Sequence, residues 1–239
     1  MRQIITLGLL LLTLTGLGQN LTSDEWDEQA KTNIRLLPKY GLMPKSAEQM
    51  QADQEFIDET MKQVEFKGDR SVASDHMIDL GFRYLYRQDL KTAMYRFNQA
   101  YLLDSLNTDI FWGYGAVYMT LGNYQEAKAQ YDEGLSKDPN NTHLLTDLGT
   151  YYMAQYYAFE PIDSKVAMAN LDSAITYMQR SYELDKTDQN TLFKLSILYW
   201  NKEDCENAWK FYNECKAFGG QPITEAYTND LKKRCKGKN

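Results

Sequence analysis

Five side chains of this sequence have types that often do chemistry: Cys205, Cys215 and Cys235, with His76 and His143. Thiolates and imidazoles serve as nucleophiles, general bases or metal ligands, and each role needs partners close by. A transition-metal site would group Cys, His or carboxylates at ligand spacing, and the sequence has no such group. A general base needs a nucleophile and an orienting group, and neither histidine neighbourhood supplies them. No glycine-rich phosphate loop is present. The acidic pairs Asp132-Glu133 and Glu203-Asp204 fall at turns or exposed helix faces and read as solvation. The residues thus point away from an enzyme and call for no metal or cofactor. Disulfide formation is the chemistry left, and an odd count of three leaves one thiol over.

The N-terminus says where such a bond could form. Met1-Arg2, an apolar run from Ile4 to Leu17 and the tripeptide Gly16-Leu17-Gly18 describe a secretory signal peptide over residues 1–19. The run is 14 residues long. A bilayer-spanning anchor needs about 18–20. No cysteine near the cleavage point invites a lipid, and no later run is long enough to cross a membrane. The expected location is periplasmic or secreted, where disulfides persist. With 33 acidic against 26 basic side chains the net charge is −7, or −8 once Arg2 is lost with the leader. That charge repels phosphate backbones, so nucleic acid is not an expected partner. The lysines of the tail, Lys232, Lys233, Lys236 and Lys238, read as a helix C-terminus and a solvated end.

The elements that position these residues are repeats. Gly81, Gly115, Gly149 and Ser196 share one column, at steps of 34, 34 and 47 residues. Tyr84, Tyr118, Tyr152 and Tyr199 follow it by three. Ala93, Ala127, Ala174 and Ala208 form a later column, and Phe97, Tyr131, Met178 and Tyr212 another. A glycine column lets two helices approach closely, and alternating large and small columns are what interdigitated packing requires. The repeats run over 74–107, 108–141, 142–188 and 189–222, the third carrying 13 extra residues.

This L-G-x2-Y…A-x3-F pattern resembles the tetratricopeptide repeat family over residues 74–222. The resemblance implies an all-α fold: a right-handed α-solenoid of four helix pairs, each unit leaning on its neighbours. Residues 20–73 are expected to form an N-terminal helical cap, with helices over Asp24–Leu36 and from Ser46 to about Val64. Residues 223–239 are expected to give a C-terminal capping helix and tail. The extra residues of repeat three fall around Met153 to Met168, crowded by Tyr151, Tyr152, Tyr156, Tyr157 and Phe159. They form either an aromatic platform for a partner or the packing of lengthened helices, the commoner fate of aromatics.

In the family, the first helices of successive repeats line a concave surface that binds peptides or helices. Positions two, five, nine and twelve of each first helix give a lining that includes Asp75, Ile78, Phe82, Asp109, Trp112, Met119, His143, Thr146, Phe193 and Trp200. Phe82, Trp112, Met119, Phe193 and Trp200 are the candidate partner-binding residues. The family's carboxylate clamp of lysine and asparagine is absent, since Ile78, Phe82, Trp112 and Ala116 hold those places. A folded-back N-terminal segment covering the groove is the competing expectation.

The helix assignments also order the cysteines. Cys205 and Cys215 lie ten residues apart on one helix, about 15 Å at its rise per residue and too far to bridge. A final helix antiparallel to that one, turning near Gly220, brings Cys235 opposite Cys205. The expectation is therefore a Cys205–Cys235 bond with Cys215 a buried thiol; three reduced cysteines is the alternative. Function at this level divides into an exported scaffold for a protein or peptide partner, an envelope-assembly subunit that self-associates, and an enzyme with its site in the repeat-three insertion.

Overall fold

The computed structural model describes residues 21–236; the signal-peptide reading of residues 1–19 lies outside the described residues. Every regular element among the described residues is helical. Helix α1 (Ser23–Ala30) opens on a capping box, with the Thr22 hydroxyl and the Glu25 carboxylate satisfying each other's backbone amides. It is shorter than the stretch to Leu36 expected from sequence. The chain turns after Ala30, and Asn33 caps a separate 3-10 turn, Ile34–Leu36, by accepting from the Arg35 amide. Helix α2 (Ala47–Met61) has the same kind of box from Ser46 and Gln49.

Four helix pairs follow: α3 (Arg70–Tyr86) with α4 (Leu90–Leu103), α5 (Asp109–Thr120) with α6 (Tyr124–Lys137), α7 (Thr142–Phe159) with α8 (Ser164–Leu184), and α9 (Gln189–Asn201) with α10 (Cys205–Ala217). Helix α11 (Glu225–Arg234) closes the stack. Each second helix packs on the next pair, and each first helix touches its successor directly, α3 to α5, α5 to α7 and α7 to α9. The first helices therefore share one wall.

The columns have a steric cause. A Cβ on Gly81 would lie 2.4 Å from the Phe97 ring, and one on Gly115 2.1 Å from the Tyr131 ring. On Gly149 it would meet Met178 at 2.6 Å. Phe97 is held on its other side by Gly113, where a Cβ would come within 2.3 Å. Ser196 breaks the column because its hydroxyl has work elsewhere: it donates to the Ala208 carbonyl at 2.8 Å and lies 2.6 Å from the Tyr227 hydroxyl. The tight turns inside the pairs share a left-handed residue, Gln88 (φ 62°), Gly122 (φ 74°) and Glu203 (φ 63°).

In the third pair the extra residues lengthen both helices, leaving only residues 160–163 as turn. Asp163 caps α8 by accepting from the Lys165 and Val166 amides. Tyr152 and Tyr177 stack at 5.5 Å between the two helices, and Tyr156 is buried beside Tyr157. The hairpin tip ends on Ile162, 77% exposed.

The N-terminal segment runs over the second helices rather than along the first-helix wall. The Asn98 side chain, fully buried, donates to the Arg35 and Leu37 carbonyls at 2.9 and 3.0 Å. The Tyr114 hydroxyl donates to Asn98 Oδ1 at 2.7 Å and accepts from the Lys39 amide at 3.0 Å. Lys39 then reaches Glu133 on α6. This strap is bought with strain: Lys39, Tyr40, Gly41 and Leu42 are all left-handed, with φ between 53° and 65°. Each non-glycine residue in that region costs about 1–2 kcal/mol.

Candidate functional site: the first-helix wall

Position five of the second repeat, on α5, carries Trp112, whose ring is the centre of the wall. It packs on Phe82 of α3 at 3.9 Å between centroids and stacks on His143 of α7 at 4.3 Å, nearly parallel. Its indole N–H donates to Asp147 Oδ2 at 2.8 Å, which fixes the ring's rotation. Phe82 in turn touches Tyr86 at 6.2 Å. The result is a ladder of rings crossing three repeats, built from positions nine, five and two of successive repeats, because neighbouring first helices are staggered along their axes. Each well-placed aromatic contact contributes about 0.5–1.5 kcal/mol beyond burial.

Polar groups frame the ladder. Asn107 donates to Asp75 at 2.7 Å, and 34 residues later Asn141 donates to Asp109 at 2.7 Å. These links tie the start of each first helix to the preceding one. Asp109 also lies 3.1 Å from His143 Nδ1. Its carboxylate hydrogen bond holds the His143 imidazolium above the ordinary histidine range, against burial, which opposes the charge. Burial pushes the Asp109 carboxyl up, but the bonds from His143 and Asn141 outweigh it, so the group titrates below the usual carboxylate value. At the third junction the link becomes a buried hydroxyl chain, Thr146 to Ser181 at 2.9 Å and to Thr191 at 2.6 Å.

Between α7 and α9 the wall opens into a cavity of about 300 Å³ lined by Trp112, His143, Thr146, Asp147, Asp185 and Asp188 among others. Lys194 reaches into the same region, donating to Thr150 at 2.8 Å and lying 3.8 Å from Asp147. A second cavity of similar size lies away from the wall, between the strap, α2 and α4, beside Arg35, Tyr40 and Phe56.

The five candidate residues thus divide. Trp112 and Met119 are half-buried on the wall, and Phe82 is 8% exposed beneath Trp112. Phe193 and Trp200 lie at the other end, where α11 reaches them. The Tyr227 ring meets Phe193 edge-on at 5.4 Å and Trp200 at 6.4 Å, and the Arg234 guanidinium sits 4.7 Å over Trp200. Cys205 and Cys235 are joined, Cα to Cα 5.4 Å, while Cys215 is buried with its thiol toward the Gln189 carbonyl. Burial pushes that thiol's pKa up. Ile78 and Ala116, expected on the wall, are buried in the core. Sequence reasoning missed His143 as the stacking partner of Trp112 and the Asn–Asp links, although the 34-residue spacing of Asn107 and Asn141 was a signal for the latter. Tyr227 stands 34 residues after Phe193, so the same period was a signal for it, although its helix lies beyond the fourth repeat.

No metal-capable group of three or more His, Cys, Asp or Glu occurs among the described residues. No helix among them is long and apolar enough to cross a membrane.

A family model for the tetratricopeptide repeat matches residues 84–150. No curated protein matches the chain. Among solved structures, the Pseudomonas aeruginosa pilF protein is similar at 20% identity and TM-score 0.38, covering 70% of this chain and 84% of that one. PilW, a widely conserved type IV pilus biogenesis factor, is 14% identical with TM-score 0.36, covering 67% and 85%. YrrB, a TPR protein with an unusual peptide-binding site, is 20% identical with TM-score 0.34, covering 72% and 97%. These are likenesses of fold. The tetratricopeptide match is thus confined to residues 84–150, and among the described residues the helix pairs on either side continue the same stack.

Proposed function

We propose that the chain is an exported scaffold that holds a peptide or partner protein against the wall of its first helices. One observation carries the reading: the Phe82–Trp112–His143 ladder, with Trp112 half-buried and oriented by Asp147, on a wall the N-terminal strap leaves uncovered. Half-exposed aromatic anchors on rigid elements are the usual centres of protein recognition, because they bring apolar area with little entropy to lose. Their polar frame of Asp109, Asn141 and Lys194 supplies donors and acceptors for a backbone or side chains. The leader-like residues 1–19 and the Cys205–Cys235 bridge support a place outside the reducing cytoplasm.

The test is affinity capture from envelope extract with the native chain and with a Trp112→Ala variant. The reading expects one partner to be retained by the native chain and lost by the variant, at unchanged far-UV circular dichroism. Equal recovery by both removes the wall as the binding face.

A further inference from the structure

We propose that the cavity between the strap, α2 and α4 is a binding site for a small soluble carboxylate with a flat apolar body, its charge met by the Arg35 guanidinium. The site lies away from the Trp112 wall and stands or falls separately from it.

The lining sorts into an apolar part and a cationic part. The cavity holds about 300 Å³, at the lower end of the range of small-molecule sites. Ile34, Phe56 and Leu102, all half-buried, supply its apolar surface. The Arg35 guanidinium sits 3.9 Å over the Tyr95 ring, and Asn33 steadies that ring by donating to its hydroxyl at 2.8 Å. A guanidinium seated on a ring keeps its edge N–H groups for a planar carboxylate. Among the described residues, the hydrogen bonds of Arg35 are those of its backbone. Lys45 differs, because its ammonium lies 3.4 Å from the Tyr40 ring centre and pairs with Asp53. The lining thus sets two cations against one carboxylate, in a chain whose net charge is −7.

The neutral groups agree on the sign. Gln99 Oε1 accepts from Arg96 at 2.8 Å, and Gln49 Oε1 accepts from the Ser46 amide at 2.9 Å. Their amide N–H groups, like the Arg35 guanidinium, have no partner among the described residues. The side-chain amides and the carboxylate therefore have their acceptors engaged, while donors are left over. A cationic ligand would have to displace Lys45 from Asp53 and Tyr40; an anionic one uses groups that stand unoccupied.

The surrounding elements suit a ligand-filled space. The one buried side chain of α2 is Thr60, near its C-terminal end, so the earlier turns flank the cavity without burying a side chain of their own. The Lys45–Asp53 pair ties the strap to α2 beside it. Tyr40 belongs to the left-handed run at 39–42, and backbone strain of that kind collects at ligand clamps. A molecule lying between Phe56 and Leu102 would join α2 to α4.

Isothermal titration calorimetry of the full chain with 2-naphthoate tests the site. Two controls accompany it: 2-naphthylmethylammonium carries the same rings with the opposite charge, and acetate carries the charge without the rings. The native chain should take up a single 2-naphthoate at least tenfold more tightly than either control. Arg35→Gln should weaken that binding at least tenfold at unchanged circular dichroism, and Arg35→Lys should restore part of it. Phe56→Ser should weaken it as well, and Trp112→Ala should leave it unchanged. Bound 2-naphthoate should also slow amide exchange over 47–61 in the native chain, a readout that needs no variant. No saturable heat at about 1 mM 2-naphthoate, equal binding of the ammonium, or binding indifferent to Arg35→Gln overturns the proposal. So does binding lost on Trp112→Ala but kept on Arg35→Gln, which would put the anion on the wall instead.

Discussion

Gly115→Ala sets two known effects against each other, and the geometry decides between them. Alanine inside a helix is favoured over glycine by about 1 kcal/mol, so propensity alone predicts a more stable protein. At Gly115, however, the new methyl would stand 2.1 Å from Tyr131 Cε1 and 2.6 Å from two neighbouring ring carbons. Ordinary carbon contacts are about 3.5–4.0 Å, so relief requires movement of more than 1 Å. Tyr131 is 1% exposed and rigid, and its ring cannot retreat without displacing α5 from α6. Overpacking of this kind costs about 1–3 kcal/mol and more where the neighbour is stiff. Taking about 3–4 kcal/mol for the clash less the propensity gain leaves a net loss of about 2–3 kcal/mol. Gly149→Ala should cost less, because the neighbour there is the flexible Met178 side chain at 2.6 Å. Combining Gly115→Ala with Tyr131→Met, which copies the third repeat's pairing, should recover part of the loss. Urea unfolding followed by circular dichroism measures all three. A Gly115→Ala chain as stable as the native protein would refute the packing explanation of the column.

Tyr114→Phe removes the hydroxyl that links the Lys39 amide to Asn98 Oδ1, leaving both without it; stability should fall by about 1–3 kcal/mol, with faster amide exchange over 33–42. Gln88→Gly relieves a left-handed residue at an exposed turn and should raise stability by about 0.5–1 kcal/mol in the same urea assay, while Glu203→Gly gains less because it gives up the pairing with Arg234. The His143–Asp109 pair stabilises the fold only where both groups are charged. The raised histidine pKa makes its contribution full at low pH and lost as pH rises through the folded value; the depressed Asp109 pKa makes its own contribution lost as pH falls through its folded value. Asp109→Asn should therefore lower the NMR titration midpoint of His143, and an unchanged midpoint would disprove the pairing. Reducing the bridge, which spans a sequence separation of 30, should cost about 3.6 kcal/mol by the loop-entropy relation, read as a lower urea midpoint.

The columns of Gly, Tyr and Ala made the helix pairs legible because each column answers to one local packing contact repeated along the chain. What has no period was hidden. The strap depends on Asn98 meeting carbonyls 61 and 63 residues upstream, and a buried asparagine leaves no mark in a hydrophobic pattern. The left-handed run at 39–42 contains one glycine, so three of its four residues gave no turn signal. The lengthened third pair looked like an inserted segment because length alone does not say whether added residues extend helices or bulge between them. On the wall, counting positions found Trp112 but could not separate Phe82 from the core beneath it. It also placed Phe193 and Trp200 without showing that Tyr227, on an element outside the repeats, lies across them.

Site-directed photo-crosslinking in the producing cell bears most directly on the scaffold reading. A photoreactive phenylalanine analogue would replace Met119 on the first-helix wall in one chain and the exposed Lys91 on a second helix in another. The account predicts a discrete adduct of one partner from position 119, abolished by Trp112→Ala, and none from position 91. Adducts from position 91 with none from position 119 would contradict it.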